Sequence, residues 1–425
     1  MITEMADLEH SRMTTDQRIT QISTLPKAKY RLAEWLATCG LNVFFLSALL
    51  RTFGRATFTL ESLNIIACGC LLVSASILYK ETAGMHAYRR WMITYAFVFV
   101  LMLVQSLQQL DPTVFTLELM PFLIVFIWPI GACDKIWRRL NRIFVWHLLI
   151  GSAVALYLVA TTYMPTREAF FDSDFFWTRH LVYAFPLIFM QFIVQRRLGR
   201  IAALAGLLSV GAWAIYGQNR GMVINQLGFY MIAAVWIWQV TARKHSMRRF
   251  AVIAAVVVAG LLIFNSEWAS NMNGSHQLES LEERFVADGG ILETFAGDPR
   301  WFEAGLFVRQ LSFLDMALGR GITGSWSDQH WMFEETRYMV HLGFLHFILK
   351  GGIPLLLLFL YFPMLTGWRA LLKSRNILTM AAAGVCVQYI FKCFNAGAMD
   401  AELSFVLLML CAGRCASALS SKNAA

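Results

Sequence analysis

Long apolar runs recur along the chain from about Leu32 to Leu419, and short polar connections separate them. A helix of about 20 apolar residues is long enough to cross a bilayer. The pattern predicts an all-α, polytopic membrane protein. Its twelve expected transmembrane helices are centred near residues 42, 70, 100, 122, 153, 187, 208, 231, 257, 352, 386 and 410.

Two polar segments interrupt this pattern. Residues 1–34 carry scattered polar side chains without an apolar core or a cleavage site, so we expect a loose N-terminal tail and no signal peptide. Residues 266–340, between spans nine and ten, are too polar to cross a membrane and too long for a turn. We therefore expect spans one to nine over 35–265, one large extracytoplasmic loop over 266–340, spans ten to twelve over 341–420, and a C-terminal tail over 421–425.

Within the large loop, the stretch GDPRWFEAGLFVRQLSFLDMALGRG predicts one helix. Asp298 is a suitable N-cap and Gly319 a suitable terminator. The apolar positions fall roughly on one face, which we expect to lie on the membrane surface or against the spans. These positions are Phe302, Leu306, Leu311, Leu314 and Leu318.

Charge supports the same class. The chain is 58% hydrophobic and only 15% charged, which excludes an ordinary soluble protein of 425 residues. Every second connection is basic, and the positive-inside rule makes those connections cytoplasmic, with both termini inside and the large loop outside. The net charge of +9 then follows from topology and needs no nucleic-acid partner. The basic clusters are Lys80, Arg89 and Arg90; Lys135, Arg138, Arg139 and Arg142; Arg196, Arg197 and Arg200; Arg243, Lys244, Arg248 and Arg249; and Arg369, Lys373 and Arg375.

Cysteines and acidic residues give no sign of a disulfide framework or a metal site. All eight cysteines lie in or beside predicted spans, where a cysteine usually serves as a small buried apolar side chain. Asp172 and Asp174 have the Asp-x-Asp spacing that nucleotide-sugar enzymes use for a divalent ion, but the predicted topology puts them outside, away from nucleotide sugars. We expect no metal and no cofactor.

Arginine is unexpectedly frequent on the predicted outer face. Its planar guanidinium binds phosphate through paired hydrogen bonds, so such a set would suit a diphosphate-headed lipid. The alternative is that individual arginines pair with acidic neighbours such as Glu303 or Glu335. The set comprises Arg51, Arg55, Arg167, Arg179, Arg220, Arg284, Arg300, Arg309, Arg320 and Arg337.

Two polar residues stand directly at the predicted membrane boundary. Arg220 lies in YGQNRGMVI, a polar break of a few residues between spans seven and eight. His341 begins span ten at its outer end, where the positive helix terminus attracts anions and a neutral imidazole could act as a base. A purely structural interfacial histidine is the alternative, and His346 is the weaker catalytic candidate.

Three segments in order resemble the O-antigen ligase and O-antigen polymerase superfamily, membrane transferases that act on undecaprenyl-diphosphate-linked glycans. GQNRG resembles the family's polar break with an arginine. PRWFEAGL followed by GRGITG is similar to its loop helix, which an arginine opens and a Gly-rich turn closes. HLGFLHFILKGGIPLL resembles its histidine followed, about eleven residues on, by a glycine, here Gly352. Twelve spans with the large loop between nine and ten also match the ligase layout.

The resemblance implies that Arg220 and Arg300 bind the diphosphate and that His341 activates the acceptor hydroxyl. It implies a bacterial inner-membrane enzyme with its active site on the periplasmic side and without a metal. Arg337, Arg51, Arg55 and Arg179 are possible supporting residues. The family often has Asn directly after the histidine, whereas this chain has Leu342.

The expected function is polymerisation of lipid-linked repeat units of O-antigen or exopolysaccharide. One alternative is a ligase that transfers the glycan to lipid A-core. Another is a flippase or transporter of the same lipid, although we find no internal repeat of the kind that many transporters have.

Two charges lie well inside predicted spans, Lys350 and Lys392, and we expect both to snorkel outward. Gly351, Gly352 and Pro354 predict a kink in span ten.

Overall fold

The computed structural model describes residues 25–51, 57–107, 112–161, 299–328, 335–374, 376–394 and 403–422, with isolated positions between 184 and 235. The described segments are helical almost throughout, which confirms the all-α class. Five helices are long and apolar enough to cross a membrane, and one bent pair would make a sixth. The spans predicted near 187, 208, 231 and 257 lie almost entirely outside the described residues.

The N-terminal half of the described chain consists of helices joined by short turns. Helix α1 begins inside the predicted tail, and α6 carries the basic residues expected in the connection after span four. A 3₁₀ turn joins α4 to α5, and the chain bends by 109° between the α4–α5 unit and α6. The helices are α1 (Lys27–Arg51), α2 (Thr57–Leu78), α3 (His86–Ser106), α4 (Pro112–Ile124), α5 (Trp128–Ala132) and α6 (Asp134–Thr161).

The C-terminal part contains two short loop helices, a small hairpin and the last spans. The strands pair antiparallel, with Trp326 opposite Arg337. A π-helical turn at Leu360–Leu365 joins α9 to α10. The elements are α7 (Pro299–Gln310), α8 (Phe313–Leu318), β1 (Trp326–Asp328), β2 (Glu335–Arg337), α9 (Gly343–Phe359), α10 (Thr366–Lys373), α11 (Ile377–Cys393) and α12 (Leu403–Lys422).

The core lies where helices from both ends of the chain meet. Helix α5 crosses α12 so closely that a side chain at Gly131 or Gly413 would collide with the backbone of the other helix. Small residues at a crossing allow membrane helices to approach and pack. Helices α10, α11 and α12 pack together beside this crossing, and Cys386, Cys411 and Cys415 are buried there as expected.

The single loop helix predicted over Asp298–Gly319 is wrong, because the chain divides it into α7 and α8. Ser312 caps α8 by accepting a hydrogen bond from the Asp315 amide, and the Asp315 carboxylate accepts one from the Ser312 amide. Gly319 ends α8 with φ of 76°, so the predicted terminator is confirmed. On the predicted apolar face, Phe302 and Leu314 are exposed among the described residues.

The predicted kink in span ten is present. Gly351 and Gly352 leave helical geometry inside α9. Pro354 has no N–H to donate to the Lys350 carbonyl. The Gly321 amide of the loop donates to that carbonyl instead, at 3.0 Å. The Arg320 amide donates to the Leu349 carbonyl at 2.7 Å. The loop therefore completes the hydrogen bonding of the broken helix.

Candidate active site

Glu303 and His341 form a close pair between the large loop and the start of span ten. The Nδ1 atom of His341 lies 2.6 Å from one carboxylate oxygen of Glu303, and the His341 amide donates to the other at 3.3 Å. The Glu303 side chain is only 10% exposed, whereas that of His341 is 40% exposed. A nearly buried carboxylate thus holds an imidazole that remains open to solvent.

Apolar packing places α7 against the start of α9. Phe307 lies one turn after Glu303, and its ring meets Trp326 at a centroid distance of 5.8 Å in an edge-on arrangement. The Trp326 indole donates to the Met339 carbonyl at 3.1 Å, two residues before His341. Val340 and Leu349 complete this buried cluster. The cluster fixes the distance between the helix that carries Glu303 and the segment that carries His341.

His341 precedes α9 rather than occupying its first turn, which corrects the predicted position by two residues. Leu342 is the N-cap, in an extended conformation and without a side-chain capping bond. An asparagine at this position would be a favourable cap. Leu342 is instead buried, so its side chain packs inward.

The contact with Glu303 defines what the His341 ring can do. A carboxylate accepts hydrogen bonds, so Nδ1 carries the proton, and in the neutral form of the ring Nε2 keeps its lone pair. Orientation of a histidine by a carboxylate is the arrangement that lets the opposite ring nitrogen serve as a general base. The Glu303–His341 pair therefore has the geometry of a base with its positioning carboxylate.

Sequence reasoning named Glu303 only as a possible arginine partner and missed its contact with His341. The two residues are 38 positions apart, and their contact depends on the packing of Phe307 and Trp326. Arg300 precedes Glu303 by three residues on α7, a spacing that places both on one helix face. Arg300 is half-buried. The three-residue spacing of Arg300 and Glu303 on α7 is thus the sequence signal that places this arginine near the Glu303–His341 pair.

The other arginines of the predicted set have different surroundings. Arg337 is half-buried at the end of β2, four residues before His341. Arg309 is exposed in the last turn of α7. Arg320 is occupied by the Asp315 carboxylate at 3.1 Å and by the carbonyls of Gln310 and Ser325 at 2.7 and 2.8 Å. Arg320 therefore has a structural role in holding the turn after α8.

Several predicted site residues cannot be compared with this geometry. Arg220, Arg55 and Arg179 lie outside the described residues, as do Arg167, Arg284, Asp172 and Asp174. Arg51 ends α1, and only its backbone is described. Their proposed roles remain predictions from the sequence.

Lys350 does not snorkel outward as predicted. Its side chain is fully buried, and its ammonium contacts the Glu118 carboxylate and the Ile322 carbonyl, each at 2.8 Å, and the Gly324 carbonyl at 3.3 Å. Three oxygen atoms thus match the three N–H donors of a lysine. Lys350 joins α4, the loop turn and α9 in one place.

The other intramembrane basic residues are also buried. Lys392 is 1% exposed, and its ammonium lies 3.4 Å from the Ser404 hydroxyl, so it too does not reach the surface. His346 is 2% exposed, and its Nδ1 has no hydrogen-bond partner among the described residues. His346 therefore lacks the access that makes His341 a candidate base.

Two glycines let the loop pack directly on the kink of α9. Gly319 and Gly352 both have positive φ, of 76° and 66°. A Cβ atom on Gly352 would lie 2.7 Å from the Leu318 amide nitrogen, and one on Gly319 would collide with the Lys350 carbonyl. The Ile322 amide also donates to the Ser106 hydroxyl of α3 at 2.7 Å. The loop is therefore fastened to two spans beneath the Glu303–His341 pair.

Among the described acidic residues of the loop, Asp315 has a clearly shifted pKa. Partial burial raises its pKa, but hydrogen bonds from Arg320 and Ser312 outweigh burial and hold the pKa below its usual range. The carboxylate is thus ionised at neutral pH, where it caps α8 and binds Arg320.

No protein-family model matches the chain, and no curated protein matches its sequence significantly. Within the described ranges, no group of three or more His, Cys, Asp or Glu side chains could hold a metal ion.

Proposed function

We propose that the protein transfers a glycan from undecaprenyl diphosphate to an acceptor sugar hydroxyl at the outer face of a bacterial inner membrane. The observation that carries the proposal is the Glu303–His341 pair, a half-exposed imidazole held by a nearly buried carboxylate at the mouth of a membrane span. The resemblance of three segments to the O-antigen ligase and polymerase superfamily supplies the substrate class.

In the proposed step, the acceptor oxygen forms a bond to the anomeric carbon of the glycan, and the bond from that carbon to the diphosphate breaks. Nε2 of His341 takes the proton of the acceptor hydroxyl, and undecaprenyl diphosphate leaves with the electron pair. General-base assistance of this kind contributes typically 10²–10⁴-fold to a rate. The diphosphate is already a good leaving group, so the step requires no nucleotide.

Arginines are proposed to bind the donor and to stabilise the charge on the departing diphosphate. Arg300 is supported by its place on the same helix face as Glu303, one turn away. Arg337 is supported by its position four residues before His341. Arg220, with Arg51, Arg55 and Arg179 as further candidates, is proposed from the sequence.

The favoured acceptor is the next lipid-linked repeat unit, which makes the enzyme a polymerase. A ligase acting on lipid A-core would use the same pair and differ only in the acceptor. Leu342 is buried at the position where the family often has Asn, and this departure favours a polymerase over a standard ligase. A flippase for the same lipid would not need a positioned base at the membrane surface.

The experiment is to place the purified protein in liposomes with a labelled undecaprenyl-diphosphate oligosaccharide, with and without lipid A-core. A ladder of longer glycans without core is the expected result. A single shifted product that requires core would identify a ligase. Movement of the lipid between leaflets without any new glycosidic bond would contradict the transferase proposal and support transport.

The arginine role has a matched pair of variants on one helix. Arg300→Gln should raise KM for the lipid-linked donor about tenfold or more, because a charge-assisted contact to phosphate is lost. Arg309→Gln, at the exposed end of α7, should leave KM within about twofold. Equal KM values for the two variants would remove Arg300 from the donor site.

A further inference from the structure

A groove runs between α3 and the second half of span ten, beyond the kink at Gly351 and Gly352. Its volume is about 520 Å³. Small side chains on α3, Ala87 and Thr94, face Leu357 and Tyr361 across it, and the Pro354 ring forms part of its wall. The groove therefore lies between one face of α3 and the segment of span ten that follows the kink.

The walls of the groove are apolar in practice. Thr94 donates its hydroxyl hydrogen to the Arg90 carbonyl at 3.1 Å, so it offers no donor to a ligand. Trp91 donates its indole N–H to the Leu358 carbonyl at 2.9 Å, which ties the two helices together. Leu357 is 57% exposed, so the groove is accessible at this position.

One cation lines this groove. Arg90 is exposed, and no carboxylate lies within ion-pair distance of it among the described residues. Its neighbour Arg89 differs, because its guanidinium lies over the Tyr79 ring, 4.4 Å from the centroid. The charge pattern predicts that both arginines lie at the cytoplasmic boundary, where the leaflet carries anionic lipids.

We propose that this groove binds an anionic phospholipid of that leaflet, with one acyl chain between α3 and α9 and the phosphate group beside Arg90. An apolar groove lined by an arginine that has no carboxylate partner within the described part of the chain complements a lipid with a long chain and a negative head. Tyr361 lines the same groove and has the amphipathic ring that favours a membrane boundary. This site is independent of the proposed transferase activity.

The test uses the full-length protein in nanodiscs that contain either phosphatidylglycerol or phosphatidylcholine, each with a photoreactive group on one acyl chain. Labelling of the peptide that spans 354–361 is measured by mass spectrometry. Phosphatidylglycerol should label it several-fold more than phosphatidylcholine. Arg90→Gln should lower that preference about fivefold, the size expected for one arginine near an anionic surface.

Two further variants separate a specific site from general lipid contact. Arg89→Gln should change the preference by less than about twofold, because that side chain is placed over Tyr79. Leu357→Trp should fill the groove and reduce labelling by both lipids. The proposal is overturned if wild-type labelling is absent, if the two arginine variants behave alike, or if exposed positions of α2 such as Ile65 and Ile66 are labelled as strongly.

Discussion

The Glu303–His341 pair and the Glu118–Lys350 pair each join a carboxylate to a basic side chain at nearly the same distance, 2.6 and 2.8 Å. They differ in whether the basic side chain is exposed and keeps a hydrogen-bonding position that no described protein group occupies. The His341 side chain is 40% exposed, and one ring nitrogen faces no acceptor or donor among the described residues. Lys350 is fully buried, and all three of its donors meet oxygen atoms.

This difference separates a chemical role from a structural one. A group that must exchange a proton with a substrate needs an open position, and His341 has one. A buried ammonium is tolerable only when its donors are satisfied, and Lys350 meets that condition. The Glu118–Lys350 pair, with all its donors satisfied, holds the loop against the spans. The Glu303–His341 pair, with one ring nitrogen free of contacts among the described residues, lies where that loop meets span ten.

The largest expected effect comes from removing the partner of Lys350. Glu118→Leu leaves a buried charge without its carboxylate and should destabilise the protein by about 3–5 kcal/mol. The measurement is the midpoint of thermal unfolding in detergent. The Glu118→Leu/Lys350→Met double variant should recover most of the loss, because no unpaired charge remains.

Glu34 supplies the control for that comparison. Its partner Arg139 is 56% exposed, so Glu34→Leu should cost only about 0–1 kcal/mol. Equal unfolding midpoints for Glu118→Leu and Glu34→Leu would show that the Lys350 contact does not carry the stability assigned to it.

Breaking the other pair should affect rate rather than stability. Glu303→Gln removes the charged acceptor that orients His341 and should lower kcat about 10²-fold or more, while the protein stays folded. The measurement is glycan transfer in liposomes with the unfolding midpoint recorded in parallel. A wild-type rate would mean that His341 needs no carboxylate.

A smaller effect sharpens the comparison within the loop. Ser312→Ala removes the cap of α8 and should weaken that helix by about 1 kcal/mol. Hydrogen exchange of the α8 amides should therefore become about fivefold faster, with little change in the α3 amides. Unchanged exchange in α8 would show that the capping box does not hold the helix.

The smallest expected effect depends on pH. The folded pKa of Asp315 lies below its usual range, so its carboxylate stabilises the fold above about pH 4 and loses that contribution as the pH falls through the folded value. Asp315→Asn should lower the free energy of unfolding at pH 7 by about 1 kcal/mol or less, and the difference should shrink near pH 3. A difference that grows on acidification would contradict this sign.

Sequence reasoning reached the features that local chemistry controls. Apolar runs predicted the helical membrane class, and Gly352 with Pro354 predicted the kink in span ten. The end of α8 at Gly319 was predicted for the same kind of reason, since glycine readily adopts positive φ. The division at Ser312 was missed although its signal, a Ser followed three residues later by Asp315, is present in the sequence.

Contacts between distant segments could not be predicted in the same way. Glu118 and Lys350 are 232 positions apart, and hydropathy alone does not say which neighbour a span will present to a buried lysine. Hydropathy therefore led to the expectation that Lys350 snorkels outward, whereas Lys350 forms a buried ion pair with Glu118. The contact of Glu303 with His341 likewise depends on how Phe307 packs on Trp326, which only the folded loop defines.

The most direct test of the proposed chemistry compares two histidine variants in the liposome assay. His341→Gln keeps a polar side chain but removes the base, and His86→Gln alters an exposed histidine at the start of α3. We expect His341→Gln to lose glycan transfer by at least about 10²-fold at an unchanged unfolding midpoint, and His86→Gln to retain it. Transfer at the wild-type rate by folded His341→Gln would contradict the assignment of His341 as the base.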